Sequence, residues 1–142
     1  MTLLKNEAIN RLSKWRSIEL LGYYYYSKQG YRIFVQLIGN SHYDFVIEKD
    51  NMFKRVNVKV ASLRKKTEHN SWSISLPGSY KQKEKSDRTP FTDIFLVWLP
   101  NINNFIELPG SFFDGYCGKT VKIPKEILKK VGAYREKVYK KL

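Results

Sequence analysis

Cysteine is all but absent from this chain of 142 residues, where Cys117 stands alone. An intrachain disulfide is therefore excluded, a thiolate zinc site cannot be built from it, and a reducing compartment is expected. Long apolar runs are also missing. The longest in the second half, Ile94 to Leu99, falls far short of the ~20 residues that cross a bilayer. The first residues carry no basic segment followed by an apolar stretch and a small-residue cleavage site, so nothing marks the chain for secretion. Acidic residues are scarce: 13 Asp and Glu stand against 26 Lys and Arg, a formal charge of +13. A field of that size favours a polyanionic partner, nucleic acid first and an anionic membrane surface second. Internal repeats and low-complexity tracts are lacking too. With 42% hydrophobic and 27% charged residues, the composition is that of an ordinary globular protein. Residues 1–142 are expected to form a single domain that buries about two-thirds of the surface of its unfolded chain.

The stretch Tyr43 to Ser62 carries the strongest local signal. Phe45-Val46-Ile47 is a short apolar run, Lys49-Asp50-Asn51 has turn chemistry, and Val56, Val58 and Val60 alternate with Arg55, Asn57 and Lys59. This predicts two strands joined by a tight turn. Alternate strand side chains take opposite faces, so the valines enter a core while Asn57 and Lys59 share the other face. Asp44 opens the first of the two strands. A carboxylate there, with a polar residue and a lysine two apart on the neighbour, suits a divalent metal and a water. A solvated strand face would show the same alternation.

Upstream, Leu3 to about Arg16 has helical spacing, and the helix either breaks at Ser13 or runs on to about Gln29. Within it, Ile18 to Tyr26 is apolar on nearly every side, as in a buried helix, and Glu19 is its only charge. A carboxylate in that setting needs a pairing partner such as Arg16, a metal, or a place at the rim. Gly30 ends the helix, and Tyr31 to Ile38 reads as a strand. Downstream, Trp72 to Leu76 is a fourth short strand and Pro77 to Thr92 a long loop. Leu63 to Thr89 holds seven basic and three acidic residues, a plausible phosphate-contacting arm that includes Arg64, Lys65, Lys66, Lys81, Lys83, Lys85 and Arg88. Asp93 to Leu99 predicts a central strand covered on both faces, followed by another at Phe105 to Leu108. Gly118-Lys119-Thr120 resembles the end of a phosphate-binding loop, but Phe113 stands where that loop needs glycine, so no nucleotide cofactor is expected. Pro124 to Leu142 is patterned as an amphipathic helix with the stripe Ile127, Leu128, Val131, Tyr134 and Val138 and an otherwise basic surface.

A helix with an embedded Glu, a strand, a strand opening on Asp and a strand ending in Val-Lys follow one another in the order of the PD-(D/E)xK nuclease superfamily. The matching residues are Glu19, Asn40 to Ile47, Arg55-Val56-Asn57-Val58-Lys59 and Asp93 to Val97. They span roughly residues 17–108, and the chain most resembles the small group I intron homing endonucleases of the cyanobacterial type. Archaeal Holliday junction resolvases are more distant kin. The resemblance implies an α/β, restriction-endonuclease-like core, a central mixed β-sheet flanked by helices. It also implies a metal-dependent endonuclease acting on double-stranded DNA, in the cytoplasm of a bacterium or organelle or encoded by a phage. Asp44, Glu19, Asn57 and the Val58 carbonyl would hold Mg²⁺ or Mn²⁺, Lys59 would complete the catalytic set, and His42 would join the basic arm in DNA contacts. Cutting both strands calls for a homodimer or homotetramer. Asn57 departs from the family, which has Glu or Gln there; it brings no charge and a shorter reach. A junction-resolving nuclease and a catalytically weakened DNA-binding protein are the alternatives, and no membrane role is expected.

Overall fold

A computed structural model describes residues 3–37, 43–64, 71–75, 92–113 and 120–134. Helix α1 (Leu3–Ser27) is unbroken at Ser13. Gly30, at φ +86°, reverses the chain after it, a backbone conformation open mainly to glycine. Strands β1 (Arg32–Val35), β2 (Phe45–Lys49) and β3 (Met52–Val60) follow, then β4 (Ser62–Arg64), β5 (Ser71–Ser75), β6 (Ile94–Leu99) and β7 (Asn104–Pro109). A 3₁₀ turn at Gly110–Phe113, strand β8 (Thr120–Lys122) and helix α2 (Lys125–Lys130) complete the described elements. The main sheet has the order β1-β2-β3-β6-β7. It is mixed, since β3 and β6 run parallel while the other neighbours are antiparallel.

The β2–β3 hairpin forms as its residues dictate. Lys49 pairs with Met52, and the two residues between them, Asp50 and Asn51, both have positive φ (55° and 63°), the requirement of a type I′ turn. Asn51 donates its N–H to Glu48 Oε1 at 3.2 Å, and the Lys49 ammonium donates to the Gln29 carbonyl at 2.8 Å. The hairpin is thereby tied to the end of α1.

Alternation sorts the sheet into two cores. Phe45, Ile47, Val56, Val58, Leu96 and Phe105 pack against Ile18 and Tyr26 of α1. Helix and sheet approach closely at Gly22, where an added methyl would lie 3.2 Å from Leu96 Cδ2. On the other face Phe95, Val97, Leu99, Ile106 and Leu108 meet Trp72, Ile74, Val121 and Leu128. As expected, β6 is central and covered on both sides; Phe95, Leu96 and Val97 are all at 0% exposure.

Several expectations are corrected. The second cover is not helical alone: β4, β5 and β8 form a three-stranded sheet of their own, so the strand expected at Trp72 to Leu76 belongs to a separate layer. Strand β1 is shorter than Tyr31 to Ile38, and Gln36 and Leu37 lie beyond its end. The helix expected over Pro124 to Leu142 stops at Lys130. Gly132 has φ +71°, its N–H donates to the Lys129 carbonyl, and the Ala133 N–H reaches back to that of Leu128. This glycine-centred terminator overrides the apolar spacing and leaves Val131 exposed. Residues 135–142 lie outside the described residues. Finally, α1 is not buried all round, because Leu20 and Tyr24 are 62% and 60% exposed.

An ion pair clamps the parallel junction. Arg55 donates its backbone N–H to Asp93 Oδ2 at 2.7 Å and its guanidinium to both carboxylate oxygens at 3.1 and 3.3 Å. Burial works to raise the Asp93 pKa, but the Arg55 hydrogen bonds and the charges of Arg55 and Lys54 outweigh it and hold the pKa below the usual value. A carboxylate with a depressed folded pKa stabilises the fold above its unfolded pKa and ceases to do so as pH falls through the folded one. Replacing Asp93 by Ala is expected to cost about 1 kcal/mol at neutral pH, the low figure reflecting solvent screening of this half-exposed pair. The deficit should shrink in urea unfolding curves as pH is lowered through the depressed folded pKa; a deficit that does not change with pH would assign it to packing.

Candidate active site

Asp44 sits at the open end of β2, one residue before its first paired position. Its N–H donates to the Val56 carbonyl at 2.8 Å. The Val58 N–H in turn donates to Asp44 Oδ2 at 2.6 Å. The carboxylate is thus pinned by the backbone of the neighbouring strand, with the short distance expected of a charge-assisted bond. The N–H and C=O of one strand residue leave on the same side, so the Val58 carbonyl also emerges toward Asp44.

Asn57 and Lys59 stand in register with Phe95 and Val97 of β6, and so occupy the face opposite α1, as their alternation with Val56 and Val58 requires. Asn57 is buried, at 8% exposure. Glu19 comes from the helix side. With Arg16 and Tyr23, three residues before and four after it on the same helix face, it lines an open cleft of about 590 Å³. The cleft is bounded below by Val35, Gln36, Leu37, Tyr43 and Asp44. Tyr23 is held by edge-to-face packing on Phe45, centroids 4.9 Å apart, which fixes the helix register over Asp44.

These charged groups act on one another. Burial raises the Glu19 pKa, the Asp44 charge raises it further, and Arg16 opposes both. Burial raises the Asp44 pKa against the Val58 N–H and the charge of Lys59. Burial lowers the Lys59 pKa against the pull of Asp44. The Tyr23 phenol is pushed up by burial, then by Glu19 and Asp44, with Arg16 acting the other way. Two carboxylates facing one cleft, with an oxygen-bearing backbone beside them, are donors of the hard-oxygen type that a cation such as Mg²⁺ could use. Among the described residues no three of His, Cys, Asp and Glu gather closely enough to bind a metal by themselves. A cation here would draw on two carboxylates, amide and carbonyl oxygens, and water.

The fold therefore brings Glu19 and Asp44 to one cleft, while Lys59, which is not part of its lining, interacts with Asp44, and Asn57 is two residues from Lys59 on the same strand face. Arg16 and Tyr23 are cleft residues that the sequence reading did not single out as functional; their spacing from Glu19 was the available signal. The DNA-contact set is a different matter. Arg64 is in β4 but its side chain is not among those described, and His42, Lys65, Lys66, Lys81, Lys83, Lys85 and Arg88 lie outside the described residues. Cys117 does as well. No described helix is long and apolar enough to cross a membrane.

Comparison with known proteins places the fold. No family model and no curated protein matches the sequence. Among solved structures, the chain is similar to a bacterial homing endonuclease, I-Ssp6803I, with a TM-score of 0.50 and 17% identity over 87% of this chain and 75% of that one. The mixed five-stranded sheet with α1 on one face is a restriction-endonuclease-like fold. At that identity the likeness is one of fold.

Proposed function

We propose that this protein is a metal-dependent endonuclease of the PD-(D/E)xK type that hydrolyses phosphodiester bonds of double-stranded DNA at a specific site, in the manner of a homing endonuclease. The observation that carries the reading is Asp44, pinned to the Val58 backbone, facing Glu19 across a cleft and electrostatically coupled to Lys59. The fold shared with a bacterial homing endonuclease supports it, and so does the charge of +13.

In this reading Asp44 and Glu19 hold Mg²⁺ or Mn²⁺, with Asn57 and the Val58 carbonyl supplying neutral oxygens. When bound, the metal polarises the scissile phosphate and helps to ionise the attacking water. Lys59 orients that water and offsets negative charge gathering on the phosphorus oxygens. Tyr23 and Phe45 hold Glu19 and Asp44 at a fixed separation. The basic arm between Leu63 and Thr89 and the exposed lysines of α2 supply backbone affinity that falls with salt. One site cuts one strand, so a homo-oligomer is required for a double-strand break.

A second reading, a DNA-binding protein with little or no cleavage, is favoured by one feature: with Asn at position 57, Glu19 and Asp44 are the only carboxylates at the cleft among the described residues. A nicking assay on a pool of supercoiled plasmids carrying random inserts, which includes the target site, separates the two. Nicking that needs Mg²⁺ and is abolished by EDTA is the expected result; duplex binding with no nicking in Mg²⁺ or Mn²⁺ would establish the second reading. Asn57→Glu adds a third carboxylate and should lower the Mg²⁺ concentration for half-maximal nicking by about tenfold, the order of a single well-placed metal-site residue. An unchanged metal requirement would remove Asn57 from the metal site. Comparing linear with four-way DNA as substrate distinguishes a junction-resolving enzyme.

A further inference from the structure

A single cation stands among the described residues that line the cleft. Arg16 lines it together with Glu19 and Asp44 and is exposed. It lies one helical turn from Glu19, about 4.5 Å along the axis. Arg16 and Glu19 share a helix face three residues apart, and Asp44 lines the same cleft, so a cation stands beside the two carboxylates.

Resting on the nuclease reading above, the geometry points to Arg16 as a phosphate-binding residue of the cleft, gripping a phosphodiester of the scissile strand. Without substrate, Arg16 serves as the counter-charge of Glu19. With a divalent cation held by Glu19 and Asp44, that counter-charge would no longer be needed, and the guanidinium, whose planar fork suits two phosphate oxygens at once, would be available to the substrate. Lys59 is not part of the cleft lining, where Arg16 is the one cation among the described residues. Leu20, Val35 and Leu37, all exposed, line the same cleft as Arg16 and the carboxylates. The residue acts in binding and takes no part in bond breaking.

The test uses the full-length protein with Arg16→Ala and Arg16→Lys. Plasmid nicking in Mg²⁺ gives kcat and KM. Binding of a fluorescent duplex in a Lys59→Met background gives the salt dependence without cleavage. For Arg16→Ala, KM should rise about fivefold with kcat within about twofold, and the slope of log K against log salt should fall by about 0.9, one phosphate contact. Arg16→Lys should recover the slope but only part of the KM, having the charge without the fork. KM and slope both unchanged, whether or not Arg16→Ala lowers thermal stability, would show that the residue only neutralises Glu19 and would overturn the assignment, as would a loss confined to kcat. If the wild-type protein nicks nothing, the nuclease reading fails, and the salt slope still decides the role of Arg16.

Discussion

Replacing Lys59 by Met should cut metal-dependent cleavage by orders of magnitude and leave a protein that is more stable than the wild type. The ammonium of Lys59 is less comfortable in the fold than in water: burial lowers its pKa by more than the attraction of Asp44 raises it. Removing the charge while keeping an unbranched chain of similar length relieves that cost and retains the packing of the hydrocarbon stem. The pH dependence follows from the same shift. Between the lowered folded pKa and the ordinary value near 10.4, the unfolded chain binds more protons than the folded one, so wild-type stability climbs with pH there. The advantage of the Met variant should thus be largest at neutral pH and shrink toward pH 10 in urea titrations. Cleavage should drop about 10²–10³-fold, the usual cost of losing one preorganised positive group at a reacting phosphate, with duplex binding nearly intact. A Met variant that unfolds would make Lys59 structural, and one that still cleaves would remove it from the chemistry.

The second large effect is expected at Asp44. Asn at this position keeps an oxygen to accept the Val58 N–H, so the strand end should hold its shape, but it gives up the charge a cation needs. Wild-type protein should gain about 1.4 kcal/mol of stability at a Mg²⁺ concentration ten times the dissociation constant, and Asp44→Asn should gain nothing while losing cleavage. This thermal readout does not depend on knowing the DNA target. It also carries a pH signature. Burial raises the pKa of both Glu19 and Asp44, and the Asp44 charge adds to the rise at Glu19, so protons compete with the metal at higher pH than for ordinary carboxylates. Mg²⁺ protection should therefore fade as pH drops through the raised values, before the acid range near 4 where exposed carboxylates titrate. Equal Mg²⁺ protection of the wild type and Asp44→Asn would place the cation elsewhere.

Legibility in the sequence followed element length and the strength of local signals. The β2–β3 hairpin could be read because Asp50-Asn51 accepts positive φ and the flanking residues alternate cleanly. Strand β6 could be read because Ile94 to Leu99 is apolar without interruption. The small second sheet could not: β4 and β8 are three residues each, too short for periodicity, and they acquire their identity only by pairing with β5. The overlong final helix shows the opposite failure. Its apolar spacing continues past Gly132, yet a single glycine at positive φ, capping the carbonyls of Leu128 and Lys129, ends it. Charge placement was harder still. Glu19 was conspicuous as the lone acid in an apolar run, whereas Arg16 and Tyr23 enter the cleft only because Gly22 allows the helix to settle closely on Phe45, Val58 and Leu96.

The order of strands gives the cleft two walls of unequal permanence. Strand β3 pairs with β2 over Met52 to Val56 and with the central β6 over Val56 to Val60, whereas β1 pairs with β2 alone and contributes only four residues. In hydrogen exchange the amides of β1, an edge strand, should be lost before those of β6. The side of the cleft bearing Val35 and Leu37 is therefore the one expected to yield first to a thick polyanion, with Asp44 kept on its Val58 anchor.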